Sequence, residues 1–220
     1  MSLENVIAVA RGELGNTELP AGSNRTKYGA AYGLDGQPWC VMFLWWVFRM
    51  AGEGDAFYGG GKTASCGELL RWARGGGLTV PVNEVQPGDI VILDFSGTGD
   101  TQHCGLVVDT FTGIWFRTIE GNTTPGAEGS QDNGGSVALK TRYLWQIVGA
   151  IRPRYKEETM PEMKDYKGHW AEDALDWAYE KGFINGYEDG TTRPDAALTR
   201  AELVTILRRY DDYRFGGTEK

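Results

Sequence analysis

Pro87-Gly88-Asp89-Ile90-Val91-Ile92-Leu93-Asp94-Phe95 marks the place where the chain changes period. Ahead of it, apolar residues recur at helical spacing over Leu3 to Leu14, Cys40 to Met50 and Cys66 to Arg74, the last opened by Ser65 and Glu68 in capping-box spacing. A Pro-Gly-Asp turn then leads into β-rich runs: Ile90 to Phe95, Cys104 to Phe111, Ile114 to Ile119, Val137 to Tyr143 and Ile147 to Arg152, separated by glycine-rich turns. Helices first and strands afterwards predict an α+β domain, with N-terminal helices packed on an antiparallel sheet.

Past the last strand, Arg152-Pro153-Arg154-Tyr155-Lys156-Glu157-Glu158-Thr159-Met160-Pro161 is charged, contains prolines and has no apolar periodicity, as an exposed linker does. We therefore expect a first domain over 1–153, a linker over 154–162, a second module over 163–212 and a tail over 213–220. The second module reads as two helices. Trp170 to Lys181 carries Ala174, Leu175, Trp177 and Ala178 on an apolar face, and Thr199 to Tyr210 opens with a Thr199/Glu202 capping box and turns Leu203, Ile206 and Leu207 inward. Gly182 stops the first helix, and Gly186, Gly190 and Pro194 shape the loop between them. A helix pair of about fifty residues is a marginal core for an isolated unit, so it is expected to need a partner surface.

The composition fits a soluble globular chain: 220 residues, 41% hydrophobic, with 8 Trp and 32 Gly, many for this length. The net charge of −8 falls on both parts, and neither is basic. That disfavours a nucleic acid partner, and equally adhesion to anionic wall polymers by bulk charge. Met1 to Leu14 reads as an amphipathic helix rather than a secretory leader, and the longest apolar run, Cys40 to Phe48, is too short to span a bilayer. No membrane partner is expected. Three cysteines, Cys40, Cys66 and Cys104, are an odd number without disulfide or zinc spacing, so at least one thiol is free.

There are two histidines, His103 and His169, one in each part. A cysteine–histidine site in the first part must therefore use His103. A thiol reaches its reactive thiolate form at a helix N-terminus beside an imidazole, and Cys40, preceded by Pro38 and Trp39 and followed by a periodic apolar run, stands at such a place. His103 starts a strand and Glu120-Gly121-Asn122 ends the next. Antiparallel pairing can bring the two together, so Glu120 or Asn122 can accept the imidazole N–H and fix its tautomer. Asn122 and Gln37 are further candidates to hold a developing oxyanion. A cysteine near a helix start is more often a small buried hydrophobe. The company of His103 and Glu120 turns that reading toward catalysis. Cys66 and Cys104, without a base of their own, read as structural, with Cys104 pointing opposite to His103 because strand residues alternate faces. Trp39, Trp45 and Trp46 read as core and groove wall.

Trp39-Cys40 with Phe43 and Trp46, then His103-x-Gly105-Leu106-Val107, then Glu120-Gly121-Asn122, in that order, resemble the CHAP family, the cysteine, histidine-dependent amidohydrolases/peptidases with a papain-like fold. The resemblance covers residues 5 to 152. It implies a Cys40–His103–Glu120 set, with Asn122 alongside, hydrolysing an amide bond in the peptide part of peptidoglycan, without a cofactor. Some relatives bind calcium in an aspartate-rich loop ahead of the nucleophile. Here Lys27 to Gly36 offers only Asp35, so no metal is expected.

In the second part, Asp165-Tyr166-Lys167-Gly168-His169-Trp170-Ala171, Gly182-Phe183-Ile184-Asn185-Gly186-Tyr187, Arg193-Pro194-Asp195 and Leu198-Thr199-Arg200-Ala201-Glu202 resemble one S-layer homology motif, with Met163 and Thr192 where the family usually has an aromatic. The resemblance implies binding of a secondary cell-wall polymer, with Trp170, Arg193 and Arg200 as ligand candidates. The alternatives are that Trp170 packs the core and that Arg200 ties the loop to the helix. Such motifs commonly occur in threes and this chain has one, which implies a homotrimer, or joining of free modules made from an internal start at Met160 or Met163. Together these resemblances imply a phage-type endolysin, made in the cytoplasm of a Gram-positive host and released to the wall through membrane holes made by another protein. A host wall-remodelling peptidase and a non-catalytic wall binder are the rivals.

Overall fold

The computed structural model describes residues 3–110, 114–126, 128–156, 165–187 and 189–215. The chain divides into two compact units, Met1–Glu158 and Thr159–Lys220. The first opens with four helices, α1 (Leu3–Gly12), α2 (Lys27–Tyr32), α3 (Cys40–Met50) and α4 (Cys66–Gly75). Six strands follow: β1 (Thr79–Val80), β2 (Ile90–Leu93), β3 (His103–Thr110), β4 (Trp115–Thr123), β5 (Ser136–Tyr143) and β6 (Ile147–Ile151). They form one sheet in the order β1-β6-β2-β3-β4-β5, with every neighbouring pair antiparallel. The unit is α+β.

Helix α3 is apolar nearly all round, and Cys40, Val41, Met42, Phe43, Leu44, Trp45, Val47 and Phe48 are all buried. Such a helix is stable only inside a core. It lies against the sheet face formed by Ile90, Ile92, Cys104, Leu106, Val108 and Ile119. The alternate residues Val91, Leu93, Val107 and Phe116 pack a second core on the other face, with Val80, Val85 and Phe95. Both faces of β2 are therefore covered, which accounts for its unbroken apolar run.

Three differences from the sequence expectations bear on the site. Strand β4 continues beyond Ile119 to Thr123, because Ser136 of β5 pairs with Thr123 and draws the end of β4 into the sheet. The register slips between Glu120 and Thr123, and Asn122 sits at φ 59 within this bulge. Bulges of this kind re-aim side chains. Helix α2 forms within the Lys27–Gly36 stretch, which is not among the expected helices. The Thr26 hydroxyl accepts from the Gly29 amide at its start, and Gly33 closes it at φ 85. At the other end of the sheet, the two-residue β1 was too short to carry a pattern. Phe111, Met160, Met163 and the linker from residue 157 on lie outside the described residues.

The second unit holds α5 (Glu172–Glu180) and α6 (Arg200–Phe215). The Thr199/Glu202 capping box closes both ways: the Glu202 amide donates to the Thr199 hydroxyl at 3.2 Å and the Thr199 amide to the Glu202 carboxylate at 2.8 Å. The inward turn expected of the apolar positions is corrected. Tyr166, Tyr179 and Phe183 are buried, whereas Trp177, Leu203 and Leu207 are 48%, 45% and 55% exposed, Ala174 is exposed and Ile206 is half-buried. One short helix opposite another offers too little surface to cover both apolar stripes. Among the described residues, no helix is long and apolar enough to cross a membrane.

Candidate active site

Cys40 is the first residue of α3, where backbone N–H groups are left without intrahelical partners. The residue before it is an anchor. Trp39 is fully buried, stacks on Tyr28 at 5.3 Å between ring centroids, and donates its indole N–H to the Glu18 carboxylate at 3.0 Å. Trp45 is buried as well and Trp46 half-buried, which makes these rings core rather than open platforms. The strand opposite approaches closely. A Cβ at Gly121 would stand 2.5 Å from Phe43 Cβ and 2.7 Å from the Trp39 ring. Overpacking of that order costs about 1–3 kcal/mol, so Gly121→Ala is expected to lower the thermal unfolding midpoint by several degrees, read by calorimetry.

His103 opens β3, paired with Leu93, and its ring is completely buried beside Phe95. Nε2 lies 3.0 Å from Glu120 Oε2. Glu120 itself has no solvent exposure and is held by four groups: His103, the Thr118 hydroxyl at 2.5 Å, and Arg142 Nε and Nη2 at 2.8 and 2.5 Å. Burial alone would raise the carboxyl, but Arg142 and His103 outweigh it and hold Glu120 down at about 2. An ionised carboxylate accepts, so Nε2 donates to Glu120 and Nδ1 is the nitrogen left to act. Nδ1 is buried and has no hydrogen-bond partner among the described residues. Gly105 makes the arrangement possible, because a Cβ there would lie 2.8 Å from Glu120 Cγ.

The Cys40 thiol and the His103 ring act on one another. Burial lowers His103, but Cys40 and Glu120 overcome it and push the imidazole up to about 9. Cys40 is held well below the ordinary thiol range by hydrogen bonding from Cys104 and Cys66 and by His103, against the effect of burial. All three cysteines are free. Cys104, expected to point opposite to His103, lies close to the Cys40 sulfur. Its side chain turns to the helix-facing side of the sheet, where α3 begins, and the three sulfurs lie within 4.8 Å of one another.

Of the two candidates to orient the ring, Glu120 is the one against it. Asn122 is fully buried, and its amide donates to the Asp132 carbonyl at 3.3 Å and to Asn133 Oδ1 at 3.2 Å, which commits it to that loop. Gln37 is exposed, three residues ahead of Cys40. Asp35 accepts the Thr26 amide. Sequence reasoning missed Arg142 and Thr118. The available signal was the alternation in β5: Lys140 and Arg142 are buried while Leu139 and Tyr143 face out, the reverse of an ordinary half-buried strand.

In the second unit Trp170 is 90% exposed, which rules out its packing in the core. Arg193, at φ 54, donates to Asp189 at 2.7 Å and to the Thr191 hydroxyl at 3.2 Å, and stacks over the Tyr187 ring at 4.1 Å. It lines a cavity of about 550 Å³ together with Tyr179, Phe183, Tyr187, Glu202 and Arg209. Trp170 and Arg200 are not among the lining residues, and Arg200 is exposed at the start of α6.

The first unit is an α+β domain that brings a cysteine at a helix start, a buried histidine and a buried carboxylate together, and it is followed by a helical hairpin. Residues 32–122 match the CHAP domain family and residues 162–204 the S-layer homology domain family, so the chain carries a CHAP domain followed by an S-layer homology domain. Curated relatives include a cellulosome-anchoring protein of Acetivibrio thermocellus, 44% identical over 48 residues, 22% of this chain and 11% of that protein. Another is the outer membrane protein SlpA of Deinococcus radiodurans, 48% identical over 85 residues, 37% of this chain and 7% of that protein. The chain thus spans about a tenth or less of the length of these relatives. A solved structure of the wild-type endolysin LysIME-EF1 matches 71% of this chain and 66% of its own, at 17% identity and a TM-score of 0.42.

Proposed function

We propose that this protein is a peptidoglycan hydrolase that cleaves an amide bond in the peptide moiety by cysteine catalysis. The observation that carries the reading is geometric: Cys40 opens α3 and His103 Nε2 lies 3.0 Å from the buried Glu120 carboxylate, an arrangement in which the thiol is lowered and the imidazole raised. Cys40 rests as thiolate beside imidazolium. The sulfur attacks the amide carbonyl carbon, and the first-turn N–H groups of α3, with Gln37 at the rim, stabilise the developing oxyanion. His103 gives its proton to the departing amine, then takes one from the water that hydrolyses the thioester. Glu120, fixed by Arg142 and Thr118, holds the ring and offsets its charge, and Asn122 steadies the adjoining loop.

His103 stays protonated until pH rises through about 9, and Cys40 becomes thiolate below the ordinary thiol range. Hydrolysis of soluble wall peptides should therefore hold level across neutral pH and fall on an alkaline limb near 9. A plateau that begins only above the ordinary thiol value of about 8.5 would contradict the ion pair. Mass spectrometry of digested wall tests the substrate and the bond together. A new amine on alanine next to muramic acid marks an amidase, one on a stem or cross-bridge residue an endopeptidase, and intact peptides refute both.

In this reading the biological role is that of a phage-type endolysin acting on a Gram-positive wall, with the S-layer homology domain binding a secondary wall polymer. The names of the curated relatives, which refer to anchoring and to an outer membrane, fit a surface-directed module. Trp170, Arg193 and Arg200 are the proposed ligand residues, and the exposed Leu203, Val204 and Leu207 of α6 are the face through which three copies assemble. Trp170→Ala should weaken sedimentation with purified wall at least about tenfold, while light scattering still gives three chains per particle. Unchanged sedimentation removes Trp170 from the ligand site, and a monomeric mass removes the trimer.

A further inference from the structure

We propose that Cys40, Cys66 and Cys104 form a trithiolate site for one thiophilic divalent ion of the zinc type, and that its occupancy shuts the enzyme down by taking the Cys40 sulfur. Binding follows from geometry on its own, whereas the shutdown rests on Cys40 being the nucleophile.

The three side chains come from separate elements. Cys40 is the first residue of α3, Cys66 the first of α4 and Cys104 the second of β3. Their sulfurs nevertheless all lie within 4.8 Å of one another, and Cys40 and Cys66 are 3.8 Å apart. Two sulfurs bound tetrahedrally to one zinc at about 2.3 Å are separated by about 3.8 Å. The Cys40–Cys66 edge already has that length, and closing the other two edges takes shifts of about 1 Å or less. A disulfide would use two of the sulfurs, whereas one ion engages all three.

Helices α3 and α4, of 11 and 10 residues, both start at a cysteine of the cluster, so two helix N-termini converge on it. The second independent feature is His103. Its Nδ1 is completely buried and has no hydrogen-bond partner among the described residues, and its ring belongs to the residue next to Cys104 in β3. Cys40 and Cys66 each keep 6% exposure while Cys104 has none, so the ion enters from the Cys40–Cys66 edge. On binding, the thiols of Cys66 and Cys104 lose their protons to solvent, three sulfur–metal bonds form, and no oxidant is needed.

Titration of the full-length protein with cadmium ion, followed by the ultraviolet thiolate-to-cadmium charge-transfer band, tests the site. One ion per chain should saturate the band, zinc should displace it, and Cys66→Ser and Cys104→Ser should each weaken binding at least about tenfold. Lysis of a wall suspension should fall over the same zinc concentrations and return on addition of EDTA. For each serine variant, the half-inhibiting zinc concentration, measured against that variant's own metal-free rate, should rise in parallel. The absence of a band from the wild-type chain, or equal affinity in wild type and both variants, overturns the site. A band without loss of lysis leaves the site standing and refutes Cys40 as the nucleophile. The wild-type titration does not depend on any variant folding.

Discussion

Cys40→Ala abolishes lysis of a cell-wall suspension, with a rate at least about 10⁴-fold below wild type, while association with the wall is retained. The size of the effect follows from the chemistry. Without the sulfur there is no covalent intermediate, and the groups that remain, the α3 N-terminus and the protonated His103, provide only electrostatic stabilisation of an unassisted water attack. The fold should tolerate the change, because alanine replaces a small, nearly buried side chain in a helix whose other buried positions are untouched. Retained lysis would refute the nucleophile. Loss of lysis together with wall association would point to unfolding instead, and circular dichroism separates the two.

Glu120→Gln has the second largest effect, and it acts on rate, pH dependence and stability at once. The carboxylate accepts from His103, Thr118 and Arg142 inside a site without solvent. Removing its charge leaves the Arg142 guanidinium, whose side chain is 5% exposed, without a counter-ion, a loss of about 3–5 kcal/mol for a buried pair. His103 loses one of the two groups that raise it, so the alkaline limb of activity moves below its wild-type position near 9. The rate constant should fall about 10²–10⁴-fold as ring orientation and proton transfer are lost. An unmoved alkaline limb would remove Glu120 from the catalytic line, even if stability fell.

Much of this arrangement can be read from the sequence because the decisive segments are locally consistent. An all-round apolar run behind Trp39 and Cys40 leaves few options but a buried helix, and Ile90 to Leu93 behind a Pro-Gly-Asp turn leaves few but a strand. The order of Cys40, His103 and Glu120 then identifies the candidate site, since a strand start and the end of its neighbour are adjacent in an antiparallel pair. The supporting shell was not legible in the same way. Arg142 pairs with Phe116 in the regular part of the β4–β5 ladder, and which groups it meets across the strands depends on a register that the residue types of β5 alone do not specify. The sulfur cluster was hidden for a related reason. Strand alternation correctly sends Cys104 to the face opposite its neighbour, but where α3 and α4 begin over that face is a matter of helix packing, which spacing along the chain does not encode.

The second unit shows the reverse case. Its capping box was predictable because it is local, whereas burial was overestimated because periodicity identifies an apolar stripe and says nothing about what covers it. Leu203 and Leu207 keep the spacing of core residues and stand exposed.

Brief alkylation of the intact protein with iodoacetamide across pH, with peptide mapping of all three cysteines, tests the thiolate–imidazolium pair most directly. Cys40 should react at pH well below the ordinary thiol value of about 8.5, ahead of Cys66 and Cys104, and His103→Ala should move its reaction upward. Reaction of Cys40 only above that value, or with the same pH profile in His103→Ala, would contradict that pair.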